Sequence, residues 1–134
     1  MPSIPKSFYE QQIDQLYGDI SLRPKQYALI RQSRAFMETS YAEKLELNDL
    51  AKAAFMSRFH YVRIFKQVYG ITPRQYLQEV RVSKAKELLK SKRTITETCH
   101  EVGYESVSTF STVFKKMTGY SPKAYQQVYS GNLE

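Results

Sequence analysis

The apolar positions along the chain recur at the spacing of amphipathic α-helices. One stripe, which precedes a break at Phe55-Met56, consists of Leu47, Leu50 and Ala54. A helix that starts near Ser57 then places one apolar stripe inward, formed by Tyr61, Ile64, Phe65 and Val68. Gly70 is typical of a residue just past a helix end, and Thr72 with Pro73 is typical of the next helix start. The pattern therefore predicts two short helices joined by a turn, followed by a third.

The same pattern occurs a second time, about fifty residues later. FKQVYGITPRQY at residues 65–76 matches FKKMTGYSPKAY at residues 114–125, which is an offset of 49 positions. Leu47, by contrast, matches Ile95 at an offset of 48. One extra residue must lie between these points, and we place it in the turn around Gly103. The chain is therefore a duplicated unit, with a first repeat that begins at Leu47 and a second that begins at Ile95.

The second repeat carries its own start signals. Thr94 and Glu97 have the spacing of a capping box, and Ser106 is placed to begin the following helix. The predicted inward positions of that helix are Phe110, Val113, Phe114 and Met117. Both repeats thus predict the same pair of helices joined by a short turn.

An uninterrupted helical sequence connects the two repeats. Neither Gly nor Pro occurs in residues 74–93. A helix from Pro73 to about Lys90 would be roughly 27 Å long at 1.5 Å per residue. Its predicted apolar positions are Leu77, Val80, Ala85, Leu88 and Leu89.

A further amphipathic helix precedes the first repeat. Its predicted core positions are Leu29, Ile30, Phe36, Met37 and Tyr41, and Ser7-x-x-Glu10 is typical of the start of a short helix over residues 7–17. The predicted fold is all-α, with seven or eight helices in two helix-turn-helix subdomains joined by a long connecting helix. The predicted divisions are an N-terminal segment at 1–24, a first subdomain at 25–72, the connecting helix at 73–93, a second subdomain at 94–128 and a tail at 129–134.

Charge and composition narrow the class of partner. The net charge is +7. Residues 1–45 hold 6 Lys or Arg against 5 Asp or Glu, and residues 46–134 hold 14 against 8, so nearly all of the positive excess lies in residues 46–134. This basic portion of the chain favours a polyanionic partner. A single cysteine excludes an internal disulfide, and no apolar run is long enough to span a bilayer. We expect a cytoplasmic, nucleoid-associated protein with no membrane partner.

The second helix of each repeat carries the candidate DNA-binding residues, because the second helix of a helix-turn-helix motif enters the major groove. The outward positions of the first repeat are Arg58, Phe59, Val62, Arg63 and Lys66, with no acidic residue among them. Those of the second are Val107, Ser108, Ser111, Thr112 and Lys115. An Arg paired with guanine discriminates by about 1–3 kcal/mol, so we expect the first repeat to supply most sequence discrimination. The predicted phosphate contacts are Ser57, Lys66, Ser106, Lys115 and Lys116.

Many spaced positions over residues 25–128 resemble the AraC/XylS family of bacterial transcription regulators. They are Leu50-Ala51, Met56-Ser57, Arg63-x-Phe65-Lys66, Gly70-x-Thr72-Pro73-x-x-Tyr76, Arg81-x-x-x-Ala85-x-x-Leu88-Leu89, Gly103-Tyr104-x-Ser106 and Phe110-x-x-x-Phe114-Lys115. The resemblance implies double-stranded DNA as partner and two successive major-groove segments read on one DNA face. It also implies contact with RNA polymerase.

The resemblance places the family's base-contact positions on specific residues. In the first repeat they are Phe59, Val62 and Arg63, and in the second they are Val107, Ser108, Ser111 and Thr112. Thr112 stands where many members carry Arg, and Cys99 stands where a small Ala is usual, so we interpret Cys99 as a buried packing residue. Many members carry a further domain, so the chain is either a stand-alone member or part of a longer protein. Residues 1–24 resemble a connecting segment more than an ordered start, which favours a fragment of a longer protein. We expect this chain to be a monomer, and the longer protein could be a dimer.

Other functional classes have little support in the sequence. Cys99 and His100 are adjacent and point about 100° apart on a helix, which argues against a catalytic pair. Two histidines and one cysteine do not form the usual zinc patterns, so we expect no metal. The sequence also contains no phosphate-binding glycine loop and no nucleophile-elbow motif, so we expect no enzyme activity and no cofactor. The alternative is a helical protein-interaction module with weak or non-specific DNA binding, in which Phe59, Val62 and Val107 would contact a partner.

Overall fold

Seven α-helices account for the fold of the residues that the computed structural model describes, 24–130. In chain order they are α1 (Pro24–Thr39), α2 (Leu47–Ala53), α3 (Arg58–Tyr69), α4 (Pro73–Lys90), α5 (Ile95–Glu101), α6 (Val107–Thr118) and α7 (Pro122–Tyr129). The predicted all-α class, with two helix-turn-helix units and a long connecting helix, is confirmed. The helix predicted over residues 7–17 lies outside the described residues.

Side-chain caps and left-handed glycines set the helix ends. Ser57 and Ser106 begin α3 and α6, and each side chain accepts a hydrogen bond from the backbone N–H three residues later. Gly70 and Gly119 end the same two helices at φ +83° and +85°, which a glycine adopts without steric cost. The capping box predicted at Thr94 is also present. Helices α3 and α6 therefore have matching starts and matching ends.

The turn inside each motif explains the one-residue difference in offset. The Met56 N–H donates to the Ala51 carbonyl over 2.9 Å, and the Tyr104 N–H donates to the Cys99 carbonyl over 3.0 Å. These two turns therefore match at an offset of 48. The serine caps that follow match at an offset of 49, so the additional residue is Glu105, which lies between Tyr104 and the cap of α6.

Two hydrophobic cores support the two motifs. The first consists of Ile30, Met37, Leu50, Ala51, Ala54, Met56, Tyr61, Ile64 and Phe65. The second consists of Val82, Ala85, Leu89, Cys99, Val102, Tyr104, Phe110, Phe114 and Tyr125. The start of α4 packs against the first core through Tyr76 and Leu77, and the rest of α4 enters the second core. One continuous helix thus belongs to both units.

Two of the predicted core assignments were wrong, and one buried residue was missed. Phe36 is 48% exposed, beside an open depression between α1 and α2 that Leu29 and Leu45 also line. Met117, in the last turn of α6, is 39% exposed. Val82, which the predicted stripe of α4 omitted, is buried because α5, α6 and α7 all pack against this helix and cover more than one of its sides.

Candidate nucleic-acid interface

The outer face of α3 carries a basic, acid-free surface. Arg58, Arg63 and Lys66 are exposed, and Phe59 is 79% exposed. The sequence of α3, RFHYVRIFKQVY, contains no acidic residue. Val62, predicted on the same face, is only half-exposed because it also packs against the first core. Four of the five predicted positions are therefore exposed together on α3, and Val62 lies at the edge of this surface.

Hydrogen bonds hold the central arginine of this surface. The Arg63 guanidinium lies 2.7 Å from Nδ1 of His60, and His60 Nε2 lies 3.2 Å from the amide oxygen of Gln26 on α1. A guanidinium only donates, so Nδ1 must accept and Nε2 must carry the proton that is donated to Gln26. His60 is therefore a hydrogen-bonded structural residue. Its link to Arg63 was missed by the sequence analysis, although their i, i+3 spacing on one helix could have indicated it.

Arg58 is ordered by a different contact. Its guanidinium carbon lies 5.4 Å from the centroid of the Phe59 ring, in a cation–π arrangement. Two of the candidate residues on α3 therefore have preferred orientations before any ligand binds.

The outer face of α6 is polar with small side chains. Val107, Ser108 and Thr112 are exposed, and Ser111 is half-exposed. The Thr112 hydroxyl donates to the Ser108 carbonyl over 3.0 Å, so the methyl group and the oxygen lone pairs of Thr112 remain for outside contacts. This surface can meet a thymine methyl or a donor group, and it lacks the bidentate donors of α3.

The predicted phosphate contacts fall at both ends of the two helices. The Ser57 and Ser106 hydroxyl oxygens accept from the N–H groups of His60 and Thr109 over 3.2 Å and 3.1 Å. The first N–H groups of a helix have no acceptor within the helix, which is why helix starts such as these can bind phosphate. Three exposed lysines, all in the last turns of α3 and α6, are Lys66, Lys115 and Lys116.

Cys99 and His100 do not contact each other through their functional atoms. The Cys99 thiol and His100 Nδ1 both lie within hydrogen-bonding reach of the Tyr104 carbonyl oxygen, at 3.5 Å and 3.2 Å. Cys99 is fully buried, as predicted, and burial raises the pKa of its thiol. Within residues 24–130, no three His, Cys, Asp or Glu side chains are grouped to hold a metal, and no helix is long and apolar enough to cross a membrane.

Comparison with known proteins identifies the family of this chain. A model of the helix-turn-helix domain matches residues 50–127, which is more than half of the chain. The structure is also similar to the C-terminal domain of AraT, a response regulator from Geobacillus stearothermophilus, with a TM-score of 0.72 and 33% identity over 75% of this chain and 84% of that one. This chain belongs to the AraC family. It is a DNA-binding transcription-regulator domain.

Two further comparisons extend this result. The DNA-binding domain of AdpA, a global transcriptional factor solved in complex with a target DNA, has a TM-score of 0.74 and 28% identity over 78% of this chain and 95% of that one. The bifunctional transcriptional activator and DNA repair enzyme AdaA of Bacillus subtilis is 36% identical over 104 residues, covering 72% of this chain and 49% of that protein. The chain spans 61% of another curated relative, a regulator from Pseudoalteromonas carrageenovora, and 35% of a third.

Proposed function

We propose that the chain binds double-stranded DNA sequence-specifically, with α3 and α6 in two successive segments of the major groove on one DNA face. The observation that carries this proposal is the outer face of α3, where Arg58, Arg63 and Lys66 are exposed on a helix without acidic residues. Helix α4 is roughly 27 Å long and the groove repeats about every 34 Å, so two helices held near its ends can reach adjacent turns.

The two motifs contribute unequally. In the first, Arg58, Phe59, Val62 and Arg63 contact base edges, and Arg63 supplies most of the discrimination. In the second, Val107, Ser108, Ser111 and Thr112 contact bases through small groups that specify less. Ser57, Lys66, Ser106, Lys115 and Lys116 contact phosphates and fix the register of the domain on the duplex.

The subdomain divisions and the partners belong to the same proposal. The first subdomain spans residues 25–72, the connecting helix 73–93 and the second subdomain 94–128. The domain regulates transcription in the cytoplasm through contact with RNA polymerase, and it has no catalytic role of its own. It acts as a monomer, and a longer protein that contains it can dimerise through other regions.

A binding selection from a random duplex library tests this proposal. The purified chain, near physiological salt, should enrich two sequence blocks about ten base pairs apart. Arg63→Ala should lose the sharper block and keep the weaker one. Unchanged enrichment with Arg63→Ala would show that α3 does not read DNA through this residue.

The alternative, a protein-interaction module, is favoured by one observation, the 79% exposure of Phe59. Salt separates the two functions. If the chain binds phosphates, the logarithm of its affinity falls linearly with the logarithm of the salt concentration. The affinity of an apolar surface for its partner changes little with salt. Failure to enrich any duplex, with no salt-dependent DNA binding, would favour the interaction module.

A further inference from the structure

A single arginine in the middle of the connecting helix contacts both motifs. The Arg81 Nε donates to the Tyr41 carbonyl over 2.7 Å, and its terminal nitrogen donates to the Glu43 carbonyl over 2.9 Å. Both carbonyls lie in the segment between α1 and α2, on the side of the first motif. The same guanidinium lies 5.3 Å from the centroid of the Tyr104 ring, in the turn of the second motif.

A second contact brings the same segment against the second motif. A Cβ atom placed on Gly103 would lie 2.9 Å from the Tyr41 carbonyl oxygen and 3.1 Å from the Ala42 Cα. The Tyr41 side chain also packs against the second core, although Tyr41 lies in the turn between α1 and α2, beside the first motif. The backbone at Tyr41 and Ala42 therefore touches the turn that precedes α6.

Arg81 is well suited to hold this contact. Its planar guanidinium can donate to two carbonyls in fixed directions and still present a face to an aromatic ring, which a lysine cannot do. Burial lowers the pKa of Arg81, and Arg81 still carries a charge because an arginine pKa starts far above neutrality. The cation in turn opposes the rise in the pKa of Tyr104 that burial causes.

We propose that Arg81, Tyr41 and Gly103 form an interdomain joint that sets the distance and rotation between α3 and α6, and so selects the spacing between the two DNA sequence blocks. Within the joint, Gly103 lies two residues before Glu105 and three before the Ser106 cap of α6. A shift of the turn therefore moves the start of α6 directly. Arg81 is a positioning residue, which acts on DNA only through the placement of the two helices. This inference rests on the proposed function, since it requires both helices to bind DNA.

The test measures affinity as a function of block spacing. The two selected blocks are placed at the preferred spacing and at one and two base pairs more or less, and each duplex is titrated with the chain. Adding one base pair moves a block by about 3.4 Å and rotates it by roughly 35° around the duplex. We expect the unmodified chain to prefer one spacing by about tenfold over its neighbours, which corresponds to roughly 1.4 kcal/mol.

Gly103→Ala and Arg81→Lys should change this profile and leave the affinity for the first block alone unchanged. The tenfold preference should fall to about threefold or move by one base pair. Gly119→Ala is the matched control, because Gly119 has a similar positive φ of +85° but no atom within 4 Å of an added Cβ. It should keep the sharp spacing preference, and circular dichroism of each variant should show the same helix content.

The possible failures are distinguishable. If both joint variants lose affinity equally at every spacing, Arg81 and Gly103 only stabilise the fold, and the joint is refuted. If the unmodified chain binds all spacings equally, the proposed two-groove binding is itself wrong. Arg81→Lys keeps the positive charge, so a folding defect confined to Gly103→Ala still leaves a clear result from the other variant.

Discussion

The Arg63 guanidinium donates a hydrogen bond to Nδ1 of His60 over 2.7 Å. His60 is in turn bonded to Gln26 on α1, so a residue outside the helix-turn-helix motif orients the main candidate for base contact. Immobilising a long side chain in advance is worth about 0.5–1.5 kcal/mol of binding. The precision of the DNA contact proposed for α3 therefore depends in part on α1.

His60→Ala should weaken DNA binding through Arg63 alone. We expect a loss of about 0.5–1.5 kcal/mol for His60→Ala, from lost preorganisation, and about 1–3 kcal/mol for Arg63→Ala, from the lost base contact. The double variant should bind like Arg63→Ala, because the histidine then has no arginine to orient. Fluorescence anisotropy with the selected duplex measures all three. Fully additive losses would mean that His60 acts independently of Arg63.

Lys115→Ala should reduce the salt dependence of binding. Each phosphate contact contributes about 0.9 to the slope of log affinity against log salt, so its loss should lower the slope by roughly one. The loss should be similar for all DNA sequences, because phosphates carry no sequence information.

A matched control for this experiment is Lys84→Ala on α4. Lys84 borders a different depression together with Glu38 and Glu79, so its removal changes the net charge equally without altering α6. Titrations at four salt concentrations between 50 and 200 mM, a range of about fourfold, should leave the Lys84→Ala slope equal to that of the unmodified chain. Equal slopes in both variants would show that Lys115 makes no phosphate contact.

Alkaline pH should destabilise the fold through two buried tyrosines. Burial raises the pKa of Tyr61 and of Tyr104 above the ordinary value, which is about 10 in an unfolded chain. The folded state then holds these protons more tightly than the unfolded state, so the stabilisation is complete below about pH 10 and is lost as the pH rises towards the folded pKa values. Each tyrosine should lower the unfolding free energy by up to about 1.4 kcal/mol per pH unit in that range.

Urea unfolding between pH 8 and 11, a window around the tyrosine pKa of about 10, measures this effect. Tyr61→Phe and Tyr104→Phe should each flatten the decline in stability with pH. The slope is the relevant quantity, because Tyr61→Phe also removes a hydrogen bond with Ser33 and lowers stability at every pH. If neither variant changes the slope of unfolding free energy against pH, groups other than these two tyrosines cause the loss of stability at alkaline pH.

Cys99 should be chemically inert while the chain is folded. The thiol is fully buried and its pKa is raised, so both access and thiolate fraction are low at neutral pH. Iodoacetamide should label the folded chain slowly and the urea-unfolded chain rapidly. Equal rates in the two states would indicate that the second core opens readily.

The sequence predicted the parts of the fold that local signals determine. The connecting helix runs from Pro73 to Lys90, as predicted, because a proline at its first position and the absence of internal breakers define it. The exposure of Phe36 and Met117 could not be predicted from local signals of this kind. Both residues fit the helical period, and only the packing of neighbouring helices decides which side of a stripe is covered.

The contacts that involve Arg81 could not be predicted from the sequence. Its hydrogen bonds go to backbone carbonyls 38 and 40 residues away, and any residue type offers such a carbonyl. No pattern of side chains can therefore indicate them. The orientation of Arg63 by Gln26 through His60 was missed for a related reason, since Gln26 and His60 are separated by 34 residues.

The matching ends of α3 and α6 make these two helices exchangeable parts. The segment from Ser57 to Gly70 and that from Ser106 to Gly119 have the same length, the same cap at the start and the same left-handed glycine at the end. The variable turn with Glu105 lies outside both segments. Outer residues of one helix can therefore be transplanted to the other without moving its entry or exit. A chain with the outer residues of α3 on α6 should keep its thermal midpoint and select the same DNA block twice.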